Sequence, residues 1–167
     1  LKCKLVSRVL VSTEDSEIAE IALKYGAEVP LIRPKELATD FVGNTVACLD
    51  LIEKLADVGE TYSEFCLVQP TCPLISPTEL DATIKAFQGP GVDAAITVTP
   101  FGYPIEAVFQ ISENGFLRNV VKHNYGATFK AGTRQSFGHR FSISGAVAAL
   151  KVNKLKLDSE YLHSSSR

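Results

Sequence analysis

The residues best suited to chemistry in this sequence stand directly after short apolar runs. Gln69 follows the run 66–68 and opens the turn 69–73, which holds two prolines and a threonine. Its side-chain amide offers one acceptor and two donors, which suits a base edge or a sugar hydroxyl, and the prolines stiffen the loop. Ligands of open α/β sheets bind beyond the carboxyl ends of strands. The turn is therefore either a small-molecule site or a plain strand-to-helix turn in which Gln69 satisfies nearby backbone.

The elements that must position this turn alternate along the chain. The apolar runs "RVLVST", "AEVPLI", "EFCLVQ" and "DAAITVT" predict strands, and helical periodicity separates them. The third helix begins at Ser76, where Pro77 and Glu79 complete a capping-box pattern. This alternation predicts an α/β fold, a mostly parallel sheet covered by helices on both faces in three layers.

The pattern changes after residue 100. "EAVFQISENGFLRNVV" consists of two apolar segments around Asn114 and Gly115, which predicts a β-hairpin with a type I′ turn. "FSISGAVAALKV" then predicts a last strand. The chain is thus expected to be one domain, 1–167, with a hairpin arm inserted at about 104–143.

Composition excludes several classes of function. The 167 residues are 46% hydrophobic with a net charge of −2, which argues against a dedicated nucleic-acid binder. No apolar run is long enough to cross a membrane. The four cysteines form no metal-binding or disulfide pattern, which favours small buried residues in a reducing cytoplasm.

Several segments together resemble one known family. "VQPTCPLIS" resembles the QPTSPLR signature of the acylneuraminate (nonulosonate) cytidylyltransferases, the CMP-sialic acid synthetase family. "RVLVSTEDSEIAEIALKYGAEVPLIRPKELATD" resembles that family's corresponding block almost throughout, and "TRQSF" and "SGAVAAL" resemble later segments. The resemblance covers essentially the whole chain, closely to about Thr99 and loosely afterwards.

The resemblance implies an activity and a set of binding residues. The family transfers CMP from CTP to a nine-carbon 2-keto acid sugar, releasing pyrophosphate, for surface glycans; Mg²⁺ assists and a hairpin arm forms a homodimer. Its fold is that of the nucleotide-diphospho-sugar transferases. By position, the implied nucleotide-binding residues are Arg33, Asn44 and Gln69. The implied sugar-binding residues are Gln69, Arg134, Phe141 and Ser144.

The chain also departs from the family. The Gly-rich opening motif that cradles the triphosphate and the late Asp-x-Asp metal motif are not found in the 167 residues, so no catalytic residue and no metal ligand is assigned. Cys72 stands where the signature has serine, a better hydrogen-bonding partner. In the acceptor region, Ser144 and Ala148 stand where sialic-acid enzymes have asparagine and tyrosine, and Glu106 stands where a lysine can help bind the sugar. These three changes in the acceptor region make pseudaminic or legionaminic acid at least as plausible an acceptor as N-acetylneuraminate.

Three interpretations of the whole chain remain. It is a cytidylyltransferase domain truncated at both ends, or a non-catalytic binding or assembly module of the same descent. A different sugar transferase is the third, but such enzymes carry an Asp-x-Asp motif in the middle of the sheet, where this chain has "VQPTCP".

Overall fold

The computed structural model describes residues 3–103, 105, 108–120 and 140–158. These residues form an α/β fold that divides into two compact units, Leu1–Thr97 with Gly145–Arg167, and Val98–Ser144. The helices are α1 (Ser16–Lys24), α2 (Asn44–Asp57), α3 (Pro77–Phe87) and α4 (Val152–Asp158), with a short 3-10 helix at Lys35–Leu37. The strands are β1 (Glu64–Val68), β2 (Ala94–Pro100), β3 (Phe109–Ile111), β4 (Leu117–Asn119) and β5 (Phe141–Lys151).

The helices of the first unit begin where the sequence predicts. Asp15 caps α1, because its carboxylate accepts hydrogen bonds from the backbone N–H groups of Glu17 and Ile18 at 2.7 and 3.2 Å. Ser76 and Glu79 form the predicted capping box at α3, and each side chain bonds the other residue's backbone N–H. Both caps satisfy N–H groups that have no partner inside the helix.

The sheet of the first unit has the strand order β1-β5-β2. β5 pairs antiparallel with β1, from Glu64↔Lys151 to Val68↔Val147. The α/β class is confirmed, but this pairing differs from the mostly parallel sheet that was expected. A parallel neighbour needs a crossover that returns the chain to the same end of the sheet.

The two segments around α1 pair in parallel. Leu10 pairs with Glu28, and Thr13 with Ile32, each as a single parallel bridge. The N–H of Val11 donates to the carbonyl of Glu28 at 2.8 Å. The predicted strands "RVLVST" and "AEVPLI" are therefore extended and adjacent, but they form isolated bridges rather than a regular ladder.

The core lies on both faces of β5. Residues of β5 alternate between two clusters, because neighbouring side chains of a strand point to opposite faces. One cluster contains Phe87, Val92, Ala95 and Ala149, with Cys66 packed against it. The other contains Ala94, Ala148 and Leu150, with Phe65, Leu67 and Ile96 against it. β5 is thus a central strand, covered on both sides.

Helix α1 buries less than its sequence periodicity indicates. The spacing of Ile18, Ile21 and Tyr25 is helical, as predicted, yet Ala19 is the buried residue of this helix. Tyr25 is 83% exposed, and the two isoleucines are about half exposed. Periodicity identified the helix correctly but not the extent to which its apolar face is covered.

The second unit contains the predicted hairpin of β3 and β4, but the turn is of another kind. Gly115 donates its backbone N–H to the carbonyl of Ser112 at 2.8 Å, and Ser112 donates to Phe116 at 2.9 Å. These bonds enclose a three-residue loop, not the two-residue type I′ turn predicted from Asn114 and Gly115. Gly115 has φ 78°, the left-handed conformation that ends such loops.

Candidate functional site

Arg33 follows the extended segment 28–32 and is held by the end of the segment 9–13. Its backbone N–H donates to the carbonyl of Thr13 at 2.9 Å. Its guanidinium Nε donates to Ser12 Oγ at 3.1 Å, and Nη2 donates to the Ser12 carbonyl oxygen. The half-buried Arg33 is therefore fixed through its main chain and its side chain.

Asn44 is the first residue of α2, and the structure relates this helix to Arg33. Gly43 is the N-cap and provides no side-chain hydrogen bond. Cys48 lies one turn beyond Asn44, on the same face of the helix. Burial raises the pKa of Cys48 to about 11, and the positive charge of Arg33 opposes this shift. The charge of Arg33 thus acts on a residue of α2, and Asn44 at the start of this helix is exposed to solvent.

Gln69 stands at the carboxyl end of β1 in a hydrogen-bonded turn. Its N–H donates to the carbonyl of Ala146 on β5 at 3.0 Å, and its own carbonyl accepts from the N–H of Cys72 at 3.1 Å. The N–H of Ile75 then bonds the Cys72 carbonyl at 3.2 Å, directly before the capping box of α3. The turn is thus fixed by backbone hydrogen bonds at both ends, and the half-buried Gln69 side chain extends from a rigid support.

An ion cluster around Arg8 joins residues at the starts of the segments that lead to Arg33 and Gln69. Nη2 of Arg8 contacts Glu28 at 2.7 Å, and Nη1 contacts Glu60 at 2.5 Å and also the hydroxyl of Tyr62. Hydrogen bonds from Arg8 lower the pKa of Glu28 and of Glu60. Since five extended residues span about 16 Å, Arg33 and Gln69 lie at the ends of their segments remote from this cluster.

The proposed sugar-binding residues lie elsewhere in the chain. Phe141 and Ser144 belong to β5 but to the second unit, and Phe141 is 61% exposed. Arg134 lies outside the described residues. The assignment of these residues to a sugar site therefore stays a prediction.

A cavity of about 540 Å³ lies at the opposite end of β1 from Gln69. Its lining comprises Tyr62, Ser63, Glu64, Lys151, Val152, Asn153 and Lys156. Lys151 pairs with Asp93 at 2.9 Å and Lys156 with Glu53 at 3.4 Å. Because both cations are engaged in ion pairs, this cavity does not compete with the Arg33 region as an anion site.

The comparisons with known proteins agree on one family. No protein-family model matches the chain. It is 32% identical over 114 residues to the pseudaminic acid cytidylyltransferase of Campylobacter jejuni (strain 81-176), which is 68% of this chain and 49% of that protein. It is 29% identical over 122 residues to the CMP-N,N'-diacetyllegionaminic acid synthase of Legionella pneumophila, 73% of this chain and 51% of that protein. The chain belongs to the nonulosonate cytidylyltransferase family.

A third relative and a solved structure extend this result. The N-acylneuraminate cytidylyltransferase of Escherichia coli O18:K1:H7 is 27% identical over 164 residues, 86% of this chain and 38% of that protein. A CMP:2-keto-3-deoxy-manno-octonic acid synthetase, solved in complex with CTP, has a TM-score of 0.62 at 13% identity and covers 98% of this chain and 64% of its own. This likeness shows the nucleotide-diphospho-sugar transferase fold. The chain spans about half the length of the first two relatives.

In this nonulosonate cytidylyltransferase chain, Arg33 stays a predicted nucleotide-binding residue, and the sequence did not point to the residues that interact with it. Ser12 and Cys48 carry no recognisable motif, and they stand 21 and 15 positions away from Arg33 in the sequence. The hydroxyl at the end of the apolar run "RVLVST" was the sequence feature from which a role for Ser12 could have been predicted. Its partner becomes apparent only when the two parallel segments are placed side by side.

Proposed function

We propose that the chain carries the nucleotide-binding region of an enzyme that transfers CMP from CTP to a nonulosonic acid. The anomeric hydroxyl of the sugar attacks the α-phosphorus, the bond to the β-phosphate oxygen breaks, and CMP-sugar and pyrophosphate result. The observation that carries the proposal is the match to pseudaminic and legionaminic acid enzymes over about 70% of this chain. Arg33, anchored by Ser12 and Thr13, provides the structural support.

The roles that we assign are roles in binding. Arg33 presents guanidinium donors to a phosphate or base oxygen of CTP, and Asn44 contributes its amide from the start of α2. Gln69 offers donors and an acceptor between base and sugar. No residue of the described chain is assigned to the proton transfer from the attacking hydroxyl.

Mg²⁺ is the cofactor that the family implies. It would neutralise the phosphates and stabilise the pyrophosphate leaving group. The described residues contain no cluster of three or more His, Cys, Asp or Glu side chains that fits such an ion. We therefore assign no metal ligand in this chain and derive no step through the metal.

The proposed acceptor is a nine-carbon 2-keto acid sugar of the pseudaminic, legionaminic or sialic type. Pseudaminic acid is the first choice, since the relatives at 32% identity carry that name. Arg134 would meet the sugar carboxylate, and Phe141 and Ser144 would contact the sugar body. These three assignments follow from the family motif and not from contacts in the structure.

A second copy of the chain is the proposed partner of the hairpin arm. The arm exposes Ile111, Phe116 and Leu117, each about 70%, and a monomer seldom leaves such an apolar group uncovered. We expect a homodimer through this arm, and light scattering coupled to size exclusion measures its mass.

No helix in the described ranges is long and apolar enough to cross a membrane. Because CTP is the proposed substrate, the proposed location is the cytoplasm.

Two measurements on the 167-residue chain test the proposed function. CTP should raise the thermal midpoint, because a ligand that binds only the folded state stabilises it, and ATP at equal concentration is the control. CTP with Mg²⁺ and pseudaminic acid should then release pyrophosphate. Stabilisation by CTP without pyrophosphate would support the non-catalytic binding module instead. Equal responses to CTP and ATP, or to neither, would contradict a cytidine nucleotide site.

A further inference from the structure

Ser12 makes two contacts to one edge of the Arg33 guanidinium. The Nε–H donates to Ser12 Oγ at 3.1 Å, and Nη2 donates to the Ser12 backbone carbonyl. The backbone N–H of Arg33 bonds the next carbonyl, that of Thr13, at 2.9 Å. Thr13 is buried, so the support behind these contacts is itself packed.

The planar geometry of the guanidinium determines what remains available. Its five N–H donors lie in one plane. The Nε proton and one Nη2 proton point in the same direction and form an inner fork, which Ser12 fills. Nη1 and the other Nη2 proton form an outer fork, for which the described ranges record no acceptor. Such a fork meets two acceptor atoms of a phosphate or a planar group at once.

The neighbouring side chain of Cys48 does not compete for this outer fork as an anion. Burial raises the pKa of its thiol to about 11, even though Arg33 acts in the opposite direction. The thiol is therefore protonated at neutral pH and carries no charge with which to bind the guanidinium. The Cys48 thiol therefore does not neutralise the Arg33 cation.

We propose that Ser12 is the positioning residue of the nucleotide site: by filling the inner fork of Arg33 it directs the outer fork at an acceptor group of the nucleotide. This inference rests on the proposed CTP site and adds a residue that the family motifs did not assign. An arginine already fixed in one orientation loses less side-chain freedom when the ligand binds, which favours affinity. Ser12 touches no ligand and acts only through Arg33.

The matched variants Ser12→Thr and Ser12→Val test this role. They have nearly the same shape, and only threonine keeps the hydroxyl that accepts from Nε. Isothermal titration with CTP should give about wild-type affinity for S12T and about three- to tenfold weaker binding for S12V, the loss typical of one hydrogen bond. In an Arg33→Met background the two variants should bind CTP equally, because the interaction passes through Arg33. Cytidine in place of CTP distinguishes the acceptor: a loss that persists with cytidine assigns the base, and a loss confined to CTP assigns a phosphate.

An NMR measurement tests the contact without any ligand. The Nε–H signal of Arg33 should be protected from solvent exchange in wild type and S12T, and it should exchange rapidly in S12V. The role of Ser12 is overturned if the Arg33 Nε–H is equally protected from exchange in S12V. It is also overturned if S12T and S12V bind CTP equally while R33M binds it weakly. Either result leaves the proposed function standing. If wild type and R33M bind CTP equally well, or neither binds it, the proposed nucleotide site fails and the inference fails with it.

Discussion

At the scale of single residues, Gln69 and Arg33 are held in different ways. Arg33 is fixed by its side chain and its main chain, whereas Gln69 is fixed by its backbone alone, through Ala146 and Cys72. No hydrogen bond of the Gln69 side-chain amide is recorded within the described ranges. The sequence left open whether Gln69 binds a ligand or satisfies nearby backbone. Because the turn is held by its backbone without this side chain, a ligand-binding role for the Gln69 amide stays the prediction.

Replacing Gln69 should therefore affect binding and not stability. We expect Gln69→Ala to weaken CTP or sugar binding about three- to tenfold, because the ligand loses one or two hydrogen bonds. The free energy of unfolding should change by less than about 0.5 kcal/mol, as for other substitutions away from the core. Calorimetric titration and urea unfolding measure the two quantities. Gln110→Ala, on the exposed face of β3, is the matched control. A Q69A protein that binds normally but unfolds without cooperativity would restore the purely structural interpretation.

At the scale of elements, local chemistry was predictable and long-range pairing was not. The capping box of Ser76 lies within four consecutive residues, so the sequence alone identifies it, and α2 and β1 follow from their periodicity. The hairpin was also predicted, but its turn type was not. The Asn-Gly pair does not decide between a two-residue turn and the three-residue loop that the hydrogen bonds of Ser112 and Gly115 enclose. The antiparallel entry of β5 depends on residues distant in sequence, as does the contact between Ser12 and Arg33.

The capping box leads to a prediction about α3. Ser76→Ala removes the acceptor for the Glu79 N–H and the hydroxyl that bonds the Glu79 carboxylate at 2.7 Å. We expect the free energy of unfolding to fall by about 1 kcal/mol, since α3 supplies Phe87 to the core. Ser76→Asp should retain most of the stability because aspartate is also a good N-cap. Urea denaturation compares the three proteins, and an alanine variant as stable as the wild type would show that the cap contributes nothing.

At the scale of the whole molecule, the ion cluster around Arg8 joins parts of the first unit that are distant in sequence. Arg8 bonds Glu28 and Glu60, which lie 20 and 52 positions further along the chain. Its guanidinium also lies 5.9 Å from the centre of the Tyr62 ring. Single ion pairs at a surface contribute little, but an arginine shared by two carboxylates and an aromatic ring forms a network. The cluster thus fixes the starts of the segments whose far ends carry Arg33 and Gln69.

This network predicts how stability depends on pH. Arg8 lowers the pKa of Glu28 and of Glu60 in the folded protein, so the unfolded chain binds protons more readily than the folded one. The stabilisation is therefore complete above the ordinary carboxyl pKa of 4.5 and is lost as the pH falls below it. We expect Arg8→Met to be less stable than the wild type at pH 7 and the difference to shrink between about pH 5 and pH 3. Urea unfolding at a series of pH values, in low salt so that screening is weak, measures both curves. Arg8→Met leaves the Glu79 cap intact, so the stability of the variant should still fall in part as the pH is lowered. If the difference in unfolding free energy between the two proteins stays constant across the pH series, Arg8 stabilises the fold by packing and not by charge.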